Sequence, residues 1–229
     1  NNTIRNLDTL ETIPNLQKLY LQHNAVNSLE CIGSLDELET LDVSYNAVSS
    51  LKPLRGCAKL KELRVDHNNL TELKGLLDLA HLEVLSVDYN QISDISMLEN
   101  HKNLKDLSIA SNSISDIAPL GQLKNLVILD FSANQVEELP EWPEDCALQT
   151  IDGSYNQLTS LDSLSNLQSL THVYMDYNLL TNIDALNDCF CLVQVNVFGN
   201  AIADVSELRE KDIIVNYDPT ASSADSNDE

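Results

Sequence analysis

Basic residues are scarce in this 229-residue chain. Thirteen lysines and arginines stand against 36 aspartates and glutamates, a formal charge of −23 at pH 7. A surface of that sign repels phosphate backbones and anionic lipid headgroups, so nucleic acid is excluded as a direct partner. No run of 18 apolar residues occurs, which excludes a spanning helix and membrane insertion by that route. Glycine is confined to six isolated residues, too scattered for a loop that cradles phosphate. The histidines at 23, 67, 81, 101 and 172 make no i, i+4 pair on a helix, and no serine or cysteine has the setting of a nucleophile elbow. Cys189-x-Cys191 lacks zinc spacing and has no matching second pair. With no nucleophile, metal cluster or cofactor loop to point to, the chain reads as a non-enzyme that takes no cofactor.

What is abundant is a period. Asparagines stand at 2, 24, 46, 68, 90, 112, 134, 156, 178 and 200, each 22 residues from the next. Around them runs L-x-x-L-x-L-x-x-N-x-I/L/V, as Leu16, Leu19, Leu21, Asn24, Val26 and again as Leu82, Leu85, Val87, Asn90, Ile92. A fixed period in the low twenties marks a solenoid whose units bury their apolar faces only against neighbours. The pattern resembles the leucine-rich repeat over residues 1 to about 217. That resemblance implies an α/β solenoid: a horseshoe with a concave parallel β-sheet and short 3₁₀ or helical convex segments.

The spacing supports the same architecture. With Leu38 as position 1 of a copy, the inward residues are Leu41, Val43, Asn46, Val48, Leu51 and Leu54. The apolar step changes from two before the asparagine to three after it (Ile92, Ile95, Leu98), which fits a strand followed by a turn and a short helical segment. A buried asparagine amide can donate to and accept from backbone groups of adjacent turns, so its column reads as structural rather than partner-binding.

The organisation along the chain follows. Residues 1–15 match a repeat entered halfway, which implies a chain continuing upstream. Residues 16–211 hold nine repeats, 212–217 read as a closing strand, and 218–229 as a disordered acidic tail. Four acids lie in that tail, leaving −19 on the array. Copy six departs from its siblings with Leu139-Pro140-Glu141-Trp142-Pro143; the prolines forbid a helix there, and Trp142 falls on the core column of Leu54, Leu98 and Leu120. The cysteines at 31, 57, 146, 189 and 191 read as buried free thiols, and His101 as a structural histidine on the column of Leu35 and Leu79.

The function signal lies on the concave face. Side chains between the inward positions of a strand point outward, which selects positions 3, 5, 7 and 8 of each copy. These 36 positions hold six of the seven tyrosines, where an even spread would put about one. Tyrosine offers a rigid contact area with one polar handle. The candidate binding residues are Tyr20, His23, Tyr45, His67, Tyr89, Tyr155, His172, Tyr174, Tyr177 and Phe198, with Asp42, Asp66, Asp88, Asp130, Asp152 and Asp176 among them. Tyr20, His23, Tyr45 and His67 form one group, and Tyr155 to Phe198 the other, over a bare centre around Ser108 to Ala133. Acids between aromatics favour a protein partner presenting lysine or arginine. Asp66 and Asp88 do not have the spacing of a calcium loop, so no metal is expected.

Segments such as Asn90-Gln-Ile-Ser-Asp-Ile-Ser-Met-Leu and Asn112-Ser-Ile-Ser-Asp-Ile-Ala-Pro-Leu resemble the internalin-type arrays of Gram-positive bacteria. The closing Ile213-Ile214-Val215-Asn216-Tyr217 is similar to the ends of such arrays. The resemblance implies a secreted or cell-surface bacterial protein, expected as a monomer, that grips another protein on its concave face. The repeat length is also similar to that of the regulatory subunit of protein phosphatase 1, whose likeness implies an intracellular, cytoplasmic scaffold.

Overall fold

A computed structural model describes residues 2–143 and 145–218; the acidic tail from 219 onward lies outside the described residues. Among the described residues, ten short strands make one parallel sheet in strict chain order. They are β1 (Lys18–Tyr20), β2 (Thr40–Asp42), β3 (Glu62–Arg64), β4 (Val84–Ser86), β5 (Asp106–Ser108), β6 (Ile128–Asp130), β7 (Thr150–Asp152), β8 (His172–Tyr174), β9 (Gln194–Asn196) and β10 (Ile214–Asn216). Each of β1 to β9 covers positions 3 to 5 of its copy, so the central residue points inward and its neighbours outward. Asp212, ahead of β10, takes a left-handed turn with φ 60°. Among the described residues, the convex side carries eight 3₁₀ segments and one five-residue helix, α1 (Ser206–Glu210).

The core is one continuous stack running from Leu7 to Val215. Its columns are mostly leucine, isoleucine and valine, and size changes abruptly at position 6, where Phe131, Gly153 and Met175 follow one another. A methyl group added to Gly153 would collide with Phe131 Cζ and Met175 Sδ, so the glycine is the space the phenyl ring occupies. Large and small thus compensate across two coils, which keeps the packing dense without bending the sheet.

The asparagine column supplies what the turns lack. Asn68 Nδ2 lies 3.0 Å from Val43 O in the preceding coil and 3.1 Å from Val65 O in its own, while Oδ1 accepts the Val48 N–H at 2.8 Å. Asn46, Asn90, Asn112, Asn134, Asn156 and Asn178 repeat the pattern. Each amide stitches its coil to the one before it; the Val43 and Val65 carbonyls each accept from two successive asparagines, and a missing amide would leave a buried N–H such as that of Val48 unpaired.

Among the described residues, copy six has no 3₁₀ segment. Its Leu139–Pro143 stretch is neither helix nor strand, and Trp142 is buried in the core, its indole N–H without a hydrogen-bond partner among the described residues. Two cysteines depart from expectation: Cys57, Cys146 and Cys189 are buried, but Cys31 is half-buried and Cys191 exposed. Both exceptions sit off the inward columns, at positions 16 and 22 of the repeat. The buried polar residues of the Leu35 column act as donors. Cys57 Sγ donates to Ile32 O and Cys189 Sγ to Leu164 O, each at 3.3 Å, and His101 Nε2 lies 3.0 Å from Leu76 O. Burial pushes both thiols up to about 11, which keeps them protonated and unreactive.

Candidate functional site on the concave face

The strands are shorter than the sequence pattern implies, and this changes what positions 7 and 8 are. Both lie beyond the strand end. At position 8 the backbone is left-handed in every copy: His23, Tyr45, His67, Tyr89, Ser111, Ala133, Tyr155 and Tyr177 have φ between 51° and 58°, and Gly199 has 65°. Bulky side chains avoid this conformation, at a cost of roughly 1–2 kcal/mol per residue. The glycine standing in a column of tyrosines was the signal for it in the sequence.

The same left-handed backbone in each copy holds the position-8 side chains in one orientation, so rings one coil apart lie face to face. His23 and Tyr45 stack with centroids 4.2 Å apart, Tyr45 and His67 at 4.2 Å, and His67 and Tyr89 at 4.1 Å. Tyr89 therefore joins the first aromatic group. Tyr155 and Tyr177 stack at 4.5 Å, and the Tyr177 ring also lies against Gly199, where a Cβ would strike it. The result is a rail of rings along one lip of the sheet, broken at Ser111 and Ala133. The remaining predicted aromatics stand apart. Tyr20 is exposed on edge strand β1, His172 and Tyr174 pair on β8 at 6.3 Å, and Phe198 is exposed without a ring partner among the described residues.

The aspartates have a structural task that the sequence reading did not assign. From the second copy on, a side chain accepts the backbone N–H of position 7. Asp42, Asp130 and Asp152 take the N–H of Ser44, Ser132 and Ser154 in their own coils, at 3.0, 2.9 and 2.9 Å. Where position 5 is not aspartate, position 7 of the preceding coil serves. Asp66 accepts from Asp88, Asp88 from Ala110 and Asp176 from Phe198, at 2.9, 2.7 and 2.7 Å; Ser44 and Ser154 do the same for Asp66 and Asp176 at 3.3 Å. Every copy after the first thus carries an aspartate at position 5 or a serine or aspartate at position 7 one coil back. That alternation is legible in the sequence once the orphan donor is known.

These carboxylates crowd together. Burial pushes Asp88 up to about 6; the nearby Asp66 charge adds to this, and the Ser108 hydroxyl and Ala110 N–H oppose it. Asp152 is raised by burial and then by Asp130 and Asp176, and Asp176 by burial and Asp218. Asp106 is raised by burial and Glu62, against the pull of Arg64. Lys18 and Arg64 are the only lysine or arginine on the four outward columns, and Arg64 is paired with Glu62 at 3.0 Å. The face is a negative trough beside an aromatic rail. Among the described residues no group of three or more histidine, cysteine, aspartate or glutamate side chains is placed to hold a metal ion.

The family model for leucine-rich repeats (2 copies) matches residues 14–56, 36–76, 58–100 and 102–144. The chain belongs to the leucine-rich repeat family. Its array is internalin-like. It superposes on an internalin (InlF) of Listeria monocytogenes with TM-score 0.78 at 23% identity, covering 94% of this chain and 71% of that one. Internalin C2 of the same species gives 0.69 at 26% identity, covering 91% and 84%. The plant peptide hormone receptor RGFR1, solved in complex with RGF2, gives 0.81 at 25% identity over 96% of this chain and 38% of the receptor. No curated protein matches the chain in sequence. No helix of the described residues is long and apolar enough to cross a membrane.

Proposed function

We propose that the array is a non-enzymatic recognition module, a monomer whose acidic, ring-bearing concave face binds a protein presenting lysine or arginine. One observation carries the reading. Six aromatic rings occupy a left-handed backbone position that small residues fill more cheaply, and the four tyrosines among them remain largely exposed: 45% for Tyr45, 53% for Tyr177, 56% for Tyr89 and 57% for Tyr155. Rings placed at a conformational cost and left in water contribute little to folding, and recognition is the use that rewards them. The likeness to internalins supports placing the module at the surface of, or secreted by, a bacterial cell. The exposed Cys191 thiol, with every cysteine unpaired, favours a second reading, an intracellular scaffold in a reducing compartment.

Affinity capture tests this. The native chain is offered separately to host cell-surface proteins and to cytosolic extract, and eluted along a salt gradient. Expected is a basic partner, from one source, released as ionic strength rises. A retained protein that is acidic, or that ignores salt, contradicts the charge reading. The source of the partner decides between the extracellular and intracellular alternatives.

A further inference from the structure

The break in the ring rail is a gap in side chains only. Ser111 and Ala133 have φ of 52° and 54°, the same backbone that carries tyrosine at Tyr45 and Tyr89 with 58° and 52°. The rail is therefore continuous in backbone from His23 to Gly199 and lacks two rungs. Tyr89 and Tyr155 each keep one ring face with no aromatic neighbour among the described residues, and the two faces look at each other across the gap. Their exposures, 56% and 57% against 45% for Tyr45 stacked on both sides, register the uncovered faces. Three strand spacings separate them, roughly 14 Å at the sheet. At the 4.1–4.5 Å ring spacing on either side, two planar layers complete the stack.

The walls of this notch set the sign of what enters. Positions 3, 5, 7 and 8 of the four coils concerned comprise sixteen residues, with Asp88, Asp106, Asp130 and Asp152 among them and no lysine, arginine or histidine. A planar group that is also cationic satisfies both walls and floor. Guanidinium is flat, permanently charged, weakly hydrated, and stacks on aromatic faces; the compact ammonium of lysine does not match two facing rings.

We propose that the notch between Tyr89 and Tyr155 is an arginine-reading site, in which two guanidinium groups of one extended segment of the partner protein enter as the missing rungs. The inference rests on the recognition function above and names the chemistry the partner must present. Arginines two residues apart in an extended segment share a face and reach both layers.

The probes are acetyl-Gly-Arg-Gly-Arg-Gly-amide and its lysine counterpart, titrated against the full chain with ring NMR signals and calorimetry as readouts. Expected are saturable shifts at Tyr89 and Tyr155 and an affinity for the arginine peptide about tenfold above that for lysine. Filling the gap with Ser111→Tyr and Ala133→Tyr removes no native group and should weaken arginine-peptide binding about tenfold. If that variant does not fold, Tyr89→Leu with Tyr155→Leu keeps the bulk, removes the planar faces, and should give the same loss. Equal affinity for the two peptides, or undiminished binding by the filled or leucine chain, overturns the proposal. If shifts then appear at Tyr20, Tyr45 or Tyr174 instead, the notch fails while concave-face recognition stands. If removing the rings also leaves the capture profile unchanged, the recognition reading fails with it.

Discussion

Position 9 of the repeat is asparagine in all nine full copies, while position 8, one residue earlier, is tyrosine, histidine, serine, alanine or glycine. Both columns run the length of the solenoid. The asparagines turn inward and answer backbone groups that every coil presents identically, so one side chain serves throughout. Position 8 turns outward in a backbone conformation equally fixed, and there the residue varies. Where the backbone dictates the side chain, the period is exact; where it dictates only a direction, the chain is free to write a surface. The rail and its two missing rungs are that surface.

The largest effect that would sharpen this contrast is loss of one buried amide. Asn68→Ala should cost about 3 kcal/mol, because the Val48 N–H loses its acceptor and the Val43 and Val65 carbonyls each lose one of their two asparagine donors. Urea unfolding measures it. Next is the core itself: Gly153→Val should cost about 2 kcal/mol by forcing Phe131 aside, and adding Phe131→Val should recover much of that. A double mutant no better than the single would show that the two coils do not share the space.

A smaller effect concerns charge. Asp88 holds its proton up to about 6, against 3.8 for the unfolded group. Between about pH 4 and pH 6 the folded state binds more protons, so this group's contribution to stability falls as pH rises through that window. Asp88→Asn keeps an oxygen for the Ala110 N–H and should raise stability at pH 7 by about 1 kcal/mol after allowance for solvent screening. It should also flatten the pH dependence between 4 and 6. The smallest expected effect is Tyr45→Ser, within about 1 kcal/mol, since lost stacking is offset by relief at a position serine already occupies in Ser111. A cost as large as that of Asn68→Ala would erase the distinction between the columns.

Most of the fold was legible because it repeats. The 22-residue asparagine period gave the solenoid, and the change of apolar step from Ile92 to Ile95 and Leu98 placed strand and convex turn. Trp142 was readable as a core residue from its column alone. The site was legible as a set of residues and much less as a geometry. Alternation suggested that position 8 continues the strand, and it carries no information on φ, so the face-to-face stacking of His23, Tyr45, His67 and Tyr89 stayed hidden despite Gly199 in the same column. The aspartates were read for charge because the orphan N–H of position 7 belongs to the backbone and leaves no trace in a single copy. Only the exchange between Asp42, Asp130, Asp152 and the preceding-coil acceptors Asp66, Asp88, Asp176 records it.

The measurement that bears most directly on recognition by the rail is made on one variant with Tyr45, Tyr89, Tyr155 and Tyr177 all changed to serine. Its capture profile and its urea midpoint are recorded beside those of the native chain. The expected result is loss of the retained partner with the midpoint little changed. An unchanged capture profile, or a collapse of stability comparable to losing a buried asparagine, would show that the rings serve the fold and not a partner.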